Sequence, residues 1–385
     1  MLLPHASDYT SKPFAKMKRI ITTFFSLVLL FFTALVFGYV ISTYGQIKVK
    51  GEKSEVKVGD GFSPTLTPTP DPLAPRNILI LGYGGNGHEG GLLTDTMILS
   101  RIIPREKMIV FISIPRDLFI PLPVSSEEKS LKINHAYAIG SDDVNFPDKP
   151  KEYKGEAGGG NLAKLAVSYA LGMSVDNFIS VNFEGFKNII NILGGVPVNV
   201  PSTFDDQFYP VAGLEEDLCG KSKEEIAVLT ATMSANLLER EFKCRYEVLH
   251  FERGLQTMDA ETALKFVRSR HSETDGGDFA RSNRQQALIL GIKNKMFKLG
   301  SLTKIIPLVN SFAKNVRTDV DFVTSIDLLR EQGLFSDVNI KSISLSTDNV
   351  LKEVTTSDGQ YVLIPKGGEE NWSEVHDFIK ENLDD

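Results

Sequence analysis

One stretch near the N-terminus limits what this chain can fold into. Residues 20–42 carry no charged side chain and exceed the ~20 residues that a helix needs to cross a bilayer. Four basic residues lie between positions 12 and 19. Because positively charged flanks stay in the cytoplasm, we expect residues 1–19 inside, a retained transmembrane helix over 20–42 and the remainder outside the cell. A cleaved signal peptide is the alternative, but its apolar region is typically ~7–15 residues long and no small-residue cleavage site follows here.

A proline-rich linker follows the expected anchor. Residues 43–75 are polar and end in SPTLTPTPDPLAP, which contains five prolines and favours an extended, semi-rigid spacer. Residues 76–385 are long enough to bury a sizeable core, and they alternate short apolar runs with segments of helical periodicity. The alternation predicts a layered α/β domain. Residues 202–253 are less regular, and we interpret them as an insertion with a helical excursion over 221–241.

Apolar runs and end signals predict the individual elements of this domain. Buried strands are expected where apolar residues run continuously, and helices where they recur at helical spacing between capping residues. The predicted strands are 77–81, 93–101, 108–114 and 338–345, and the predicted helices are 161–171, 186–193, 323–330 and 372–382.

Bulk charge and cysteine content narrow the possible partners. The formal net charge is −7, which argues against a general nucleic-acid binder and requires any anion site to be a local concentration of basic residues. Cys219 and Cys244 both follow the expected anchor, where a disulfide is chemically permitted. Two free cysteines are the alternative, since spacing along the chain does not fix the distance between them.

The most distinctive polar stretch is RSRHSETDGGDFARSNRQQ, residues 268–286, with four arginines around an acidic, glycine-containing connector. Residues 259–267 before it predict a helix with Asp259 at the N-cap. Arg268 and Arg270 lie two apart, so an extended backbone would direct both guanidinium groups to one side.

A second helix is expected to begin near Arg281, which would place Arg281 and Gln285 on one face. Guanidinium groups bind pairs of phosphate oxygens at fixed geometry and remain charged. The stretch is therefore a candidate anion pocket, and the alternative is a solvated surface whose arginines pair with nearby acidic residues.

Six motifs follow each other along the chain: TDTMIL (94–99), SIPRD (113–117), KINHAYA (132–138), SVNFEGFKNIINILGGVPVNV, ALKFVRSR (263–270) and DFARSNRQQ (278–286). In this order they resemble the LytR-CpsA-Psr family of bacterial cell-envelope proteins over residues 77–295. The resemblance implies a three-layer α/β/α domain with a central mixed sheet, held outside the cell by an N-terminal membrane anchor. It also implies a phosphotransferase that moves a glycopolymer from a polyprenyl-pyrophosphate carrier to a peptidoglycan hydroxyl through a phosphodiester.

The resemblance assigns a role to particular residues. A pyrophosphate diester is anionic, and phosphoryl transfer is catalysed mainly by positioning and by cations. Asp95, Arg116 and Arg270 would be catalytic, and Asp95 would hold Mg²⁺, which favours oxygen ligands beside phosphates. The residues implied to contact the pyrophosphate are Arg116, Lys132, Arg268, Arg270, Arg281 and Gln285.

One departure from the family pattern affects the metal. Many members have a second metal-binding aspartate in an LGxD motif, whereas this chain reads LGYG, with Gly84 at that position. Glu89, later in the same loop, is the candidate replacement. The departure favours an alternative function, a non-catalytic module that binds polyprenyl phosphate or an anionic polymer. A lipid pyrophosphatase is a further alternative, since it would use the same site and would differ only in having no glycopolymer acceptor.

Two features remain open at the level of sequence. The carrier lipid needs an apolar groove, for which the helices 161–171 and 186–193 and the face beyond Gln285 are candidates, although core packing is the commoner use of such faces.

His88, His135 and His271 lie in or near the motifs. A proton-transfer role and an ordinary loop or surface position are both open for them, and their spacing does not match a metal-binding motif.

Overall fold

The structure is a computed structural model, and most of the predicted globular domain is described in it. The expected anchor, most of the linker, Glu89 and the predicted helix 323–330 lie outside the described residues. Among the residues that are described, no helix is both long and apolar enough to cross a membrane. The described residues are 45, 48–49, 71, 73–85, 87–88, 90–233, 235–298, 315–320 and 338–384.

The strands and helices follow each other along the chain largely as the alternating pattern predicts. The strands are β1 (Arg76–Tyr83), β2 (Thr94–Ile103), β3 (Met108–Ser113), β4 (Phe119–Pro123), β5 (Glu128–Lys132), β6 (Asn177–Asn182), β7 (Val196–Val200), β8 (Phe204–Pro210), β9 (Tyr246–Phe251), β10 (Gly254–Met258), β11 (Val316–Thr318), β12 (Asn339–Ser344), β13 (Leu351–Thr355) and β14 (Tyr361–Pro365). The α-helices are α1 (His135–Ser141), α2 (Gly158–Leu171), α3 (Phe183–Leu193), α4 (Lys223–Thr232), α5 (Ala235–Glu241), α6 (Ala260–Arg268), α7 (Gly277–Lys298) and α8 (Ser373–Asp384).

A six-stranded sheet forms the centre of the domain, in the order β11-β6-β1-β2-β3-β12. The central strands β1, β2 and β3 are antiparallel neighbours. Strand β6 pairs parallel with β1, and β12 pairs parallel with β3, while β11 pairs antiparallel with β6. The predicted α/β class with a central mixed sheet is therefore confirmed.

Side chains alternate between the two faces of each strand, so each face of the sheet has its own apolar layer. Leu79 and Leu81 of β1 belong to the largest buried cluster, together with Leu162 and Val167 of α2. Ile78, on the opposite face of β1, belongs to a second cluster that contacts Ile289 and Leu290 of α7. Helices thus cover both faces of the sheet, and β1 is buried on both sides.

Residues 204–251, inside the predicted insertion, build part of a separate apolar cluster. Strands β8 and β9 pair antiparallel, and the rings of Phe204 and Phe251 stack with centroids 5.2 Å apart. Phe251 also contacts Phe266 of α6, with centroids 5.2 Å apart. Between the two strands the chain forms α4 and α5, and Cys219 and Cys244 form a disulfide with a Cα–Cα distance of 5.6 Å.

Candidate functional site

A cavity of about 500 Å³ lies between the sheet and three helices. Strands β1 and β6 supply one apolar wall, and the opposing walls come from α3, α6 and α7. Apolar side chains dominate its interior, as is usual for pockets that bind small molecules. The apolar lining consists of Ile80, Ile179, Val181, Phe183, Phe186, Ile189, Leu264, Val267, Leu288, Ile289 and Ile292, with Pro210.

Most of the sequence-predicted site residues line this same cavity. They come from four separate segments of the chain: the start of β2, the loop after β3, the α6 end and the first turns of α7. Among the predicted site residues that the structure describes, Lys132 alone does not line the cavity. The polar lining comprises Asp95, Thr96, Arg116, Asn182, Asp206, Tyr209, Arg268, Arg270, His271, Arg281 and Gln285, with Gly82.

The end of α6 positions Arg268. The helix begins where the side chain of Asp259 accepts the amide N–H of Thr262 at 2.8 Å, as the sequence predicts, and Arg268 is its last residue. The Arg268 guanidinium lies 4.8 Å from the Phe183 ring centroid and donates from Nη1 to the Tyr209 hydroxyl at 3.3 Å. Arg268 is thus helical, so the condition of an extended backbone is not met at this residue, and its side chain nevertheless lines the same cavity as Arg270.

The buried carboxylate of Asp206 fixes the chain that carries Arg270. Only 1% of Asp206 is exposed. Its Oδ2 accepts the Ser269 hydroxyl at 2.6 Å and the amide N–H groups of Arg270 and His271 at 3.0 and 3.1 Å. Its Oδ1 accepts the amide N–H of Phe208 at 3.0 Å. Sequence reasoning missed this residue, although the period of two in β8 places Asp206 on the same side as buried Phe204.

The two arginines near the start of α7 have different environments. Arg284 is fully buried and donates to the Ser269 carbonyl at 2.6 Å and to the Asp275 carboxylate at 3.0 Å. Burial lowers the pKa of the Arg284 guanidinium, and Asp275 acts in the opposite direction. Arg281, one turn earlier, is 6% exposed and lines the cavity. Arg284 therefore secures the connector, whereas Arg281 contributes charge to the cavity wall.

Gln285 connects α7 to the sheet. Its Nε2 donates to the Thr96 hydroxyl at 2.9 Å and lies 3.5 Å from the Val267 carbonyl oxygen of α6. It lines the cavity and is 8% exposed. Gln285 thus links α7 to β2 through Thr96. The family resemblance implies a contact with the substrate in addition.

A chain of ion pairs runs from the cavity to Lys132. Arg116 donates from Nη1 to Asp95, and its Nε lies 3.5 Å from the Asp117 carboxylate. Lys132 Nζ lies 2.7 Å from the other oxygen of Asp117. Asp95 has a half-exposed side chain, whereas that of Asp117 is mostly buried. Lys132 is therefore connected to the cavity through Asp117 and Arg116.

The donor set near Asp95 is compatible with Mg²⁺. This ion commonly binds one or two carboxylates and completes its shell with substrate phosphates and water. Asp95 supplies one accessible carboxylate at the cavity. Gly84 supplies none, and a Cβ at that position would lie 2.8 Å from Cβ of His88, so His88 occupies the space beside it. Glu89 lies outside the described residues.

The three histidines singled out in the sequence lie in different surroundings. His135 donates from Nδ1 to the Lys132 carbonyl oxygen at 3.2 Å, and burial lowers the pKa of its imidazole. The His88 ring packs edge-on against Phe183, with centroids 5.1 Å apart. His271 lines the cavity, and its Nδ1 lies 3.1 Å from the Phe208 carbonyl.

The fold and the cavity together define an α/β protein in which a wall rich in arginine adjoins an apolar interior. The LytR_cpsA_psr family model matches residues 39–374. The chain therefore belongs to the LytR_cpsA_psr family, as the ordered motifs predict.

Several relatives are named as transferases. The chain is 25% identical over 310 residues to the polyisoprenyl-teichoic acid–peptidoglycan teichoic acid transferase TagU of Enterococcus faecalis, covering 80% of this chain and 81% of the relative. It is 29% identical over 245 residues to the TagU of Oceanobacillus iheyensis, covering 64% of this chain and 59% of the relative.

Solved structures share the fold. The crystal structure of Bacillus subtilis TagV gives a TM-score of 0.52 at 23% identity, covering 81% of this chain and 98% of TagV. The structure of TagT bound to LIIa-WTA gives a TM-score of 0.52 at 22% identity, covering 87% of this chain and 98% of TagT. Both likenesses concern the mixed α/β architecture.

Proposed function

We propose that this protein is a membrane-anchored extracellular transferase. It would move a glycopolymer, of the teichoic acid type named for its relatives, from a polyprenyl-pyrophosphate carrier to a peptidoglycan hydroxyl, forming a phosphodiester. The observation that carries the proposal is the cavity itself, because arginines from separate segments and a deep apolar lining meet in one space. A pyrophosphate joined to a hydrocarbon chain has the same two chemical parts.

The two parts of the carrier would occupy two parts of the cavity. Arg268, Arg270 and Arg281 line the polar part and suit the oxygens of a pyrophosphate, since guanidinium groups bind such oxygens in pairs. The prenyl chain would lie along the apolar walls of α3 and α7. Of the grooves considered from the sequence, the α3 face and the face beyond Gln285 thus support the proposal, whereas Leu162 and Val167 of α2 lie in the core on the other side of the sheet.

Charge stabilisation is the main contribution expected of the protein. The transition state of phosphoryl transfer spreads negative charge over the transferred oxygens, and cationic donors placed before the reaction stabilise that charge. Arg270 and Arg281 would supply it directly. Arg116, now held by Asp95, would exchange this partner for a phosphate oxygen. Mg²⁺ held by Asp95 would, when bound, polarise the pyrophosphate and balance the charge of the leaving group.

Transfer by the purified full-length protein tests the proposal. Polyprenyl-pyrophosphate-linked glycopolymer and peptidoglycan fragments are mixed with protein in detergent and Mg²⁺, and both polyprenyl monophosphate release and polymer joined to peptidoglycan are measured. Arg270→Ala and Arg281→Ala should each lower kcat at least about a hundredfold, the scale of losing one charge-stabilising donor. Arg105→Ala is the matched control, because Arg105 pairs with Asp71 at the surface and should leave transfer unchanged.

The alternatives give different results in the same assay. A binding module would retain the carrier and release no polyprenyl monophosphate. A pyrophosphatase would release it without joining polymer to peptidoglycan. Removal of Mg²⁺ with a chelator should abolish both signals, and full activity in the chelator would refute the metal requirement while leaving the transferase proposal intact.

A further inference from the structure

His271 has one ring nitrogen fixed and the other available. Its Nδ1 lies 3.1 Å from the Phe208 carbonyl oxygen, and a carbonyl only accepts hydrogen bonds, so Nδ1 carries the hydrogen. In the neutral ring the lone pair is then on Nε2. The side chain is exposed and the residue lines the cavity beside Arg270. This arrangement leaves a nitrogen base where an incoming hydroxyl can reach it.

The carboxylates near the cavity are less suited to accept a proton. Asp206 receives four hydrogen bonds from neighbouring groups, three of them on Oδ2. Asp95 is paired with Arg116. Asp117 does not line the cavity and is bound by Lys132. Each of these carboxylates is thus already engaged by hydrogen-bond donors or by a cationic side chain in the structure.

The remaining titratable side chain on the wall is Tyr209. Burial raises the pKa of its phenol, and its oxygen accepts the hydrogen bond from Arg268. It therefore stays protonated and acts as a support for the arginine. The charged groups that adjoin His271 are Asp206, which receives its amide N–H, and the neighbouring Arg270, while the β8 segment faces the ring through the Phe208 carbonyl.

We infer that His271 is the general base for the acceptor hydroxyl in the proposed transfer reaction. The inference rests on the proposed function. The hydroxyl proton passes to Nε2 as the hydroxyl oxygen forms its bond to the phosphorus that bears the glycopolymer. The bond between that phosphorus and the bridging oxygen breaks, and polyprenyl monophosphate leaves with the electron pair. The imidazolium then returns its proton to water.

Backbone contacts hold the histidine in this position. Asp206 binds its amide N–H and the amide N–H of Arg270 through one oxygen, so the base and the arginine are fixed by the same carboxylate. A pyrophosphate bound by Arg270 would therefore lie within reach of His271. The side chains of both residues also line the cavity.

Kinetics and chemical rescue of His271→Ala in the full-length protein test the role. Removal of a general base lowers rates by about 10²- to 10⁴-fold, so kcat for transfer should fall at least about a hundredfold. Affinity for polyprenyl pyrophosphate, measured without acceptor, should change less than about twofold. Added imidazole should restore transfer in a concentration-dependent manner, because it can enter the space that the side chain leaves.

His250→Ala is the matched control. His250 is an exposed histidine on the neighbouring β9 that pairs with Asp205 and Glu252 and does not line the cavity; its loss should leave kcat and the imidazole response unchanged. If the His271→Ala variant transfers polymer at the wild-type rate, this inference is overturned and the proposed function is not affected. A loss of carrier affinity equal to the loss of rate, without rescue, also overturns it. Absence of transfer by the wild-type protein overturns the proposed function and this inference together.

Discussion

Neighbouring arginines in one short stretch perform different tasks. Arg284 is fully buried and holds the Ser269 carbonyl and Asp275, whereas Arg268 lies over the Phe183 ring and Arg281 lines the cavity. Burying a guanidinium is costly unless its donors are satisfied. A pattern of charges predicts that arginines cluster, but the partner that each one meets is decided by tertiary contacts.

Asp206→Asn should reduce transfer strongly and stability moderately. All four groups that contact the carboxylate are hydrogen-bond donors. The NH₂ group of an asparagine would therefore replace one accepting oxygen and face a donor. Hydrogen bonds to charged groups contribute about 1.5–3 kcal/mol each, and we expect the free energy of unfolding to fall by about 2 kcal/mol. Because Arg270 and His271 lose a common anchor, kcat should fall at least about tenfold, as measured in the transfer assay alongside denaturant unfolding.

The adjacent residue provides the control for this substitution. Asp205 faces the other side of β8 and pairs with exposed His250, so Asp205→Asn should change neither kcat nor stability appreciably, as is usual for surface ion pairs. Equal effects of the two substitutions would contradict the positioning role of Asp206.

Elements with strong local signals were predictable, and those that depend on distant contacts were not. The α6 N-cap, the α2 C-terminus at Gly172 with φ of 68° and the α3 C-terminus at Gly194 with φ of 69° all follow local chemistry. Glycine adopts this left-handed conformation without a Cβ clash. Three of the four donors to Asp206 belong to Ser269, Arg270 and His271, which lie 63 to 65 residues further along the chain, and no local signal connects the two segments. The sequence therefore indicated the arginines of the site but not their anchor.

Helix α3 offers a way to test whether its inner face accommodates the prenyl chain. Ile189 lines the cavity, and Ile189→Trp should fill part of it. Burial of each CH₂ group contributes about 0.8 kcal/mol, so excluding two such groups should weaken binding of a long-chain polyprenyl phosphate roughly tenfold. A short-chain analogue that occupies only the polar part should bind as before. Binding of a series of chain lengths to the purified protein measures this dependence.

Asn191→Trp, on the exposed side of the same helix, is the control for ring bulk and should bind every chain length as the wild type does. If Ile189→Trp binds long and short analogues with unchanged affinity, the apolar part of the cavity does not hold the lipid. A uniform loss for all chain lengths would instead indicate damage to the polar part.

At the scale of the whole molecule, two independent features concern the compartment in which it works. The uncharged run over residues 20–42 with basic residues before it predicts an outward-facing domain. The domain also has a disulfide between Cys219 and Cys244, and such bonds persist in oxidising surroundings. The proposed carrier and acceptor would meet the cavity on the same side. Each feature favours an extracellular domain, and the disulfide allows the orientation to be measured directly.

Thiol labelling in intact cells should report this orientation. A membrane-impermeant maleimide should label Cys219 and Cys244 only after treatment with an impermeant reductant, because the thiols are paired and would face the outside in the proposed orientation. As a control, Ser7→Cys in a Cys219→Ser/Cys244→Ser background places the only thiol before the expected anchor, where labelling should require lysis. Labelling of the Ser7→Cys thiol in intact cells would show that the N-terminus lies outside, opposite to the proposed orientation. Labelling of the native cysteines without reductant would show that they are unpaired. Failure of the reduced native cysteines to react until the cells are lysed would place the domain in the cytoplasm, where a polyprenyl-pyrophosphate carrier could not deliver its polymer to peptidoglycan.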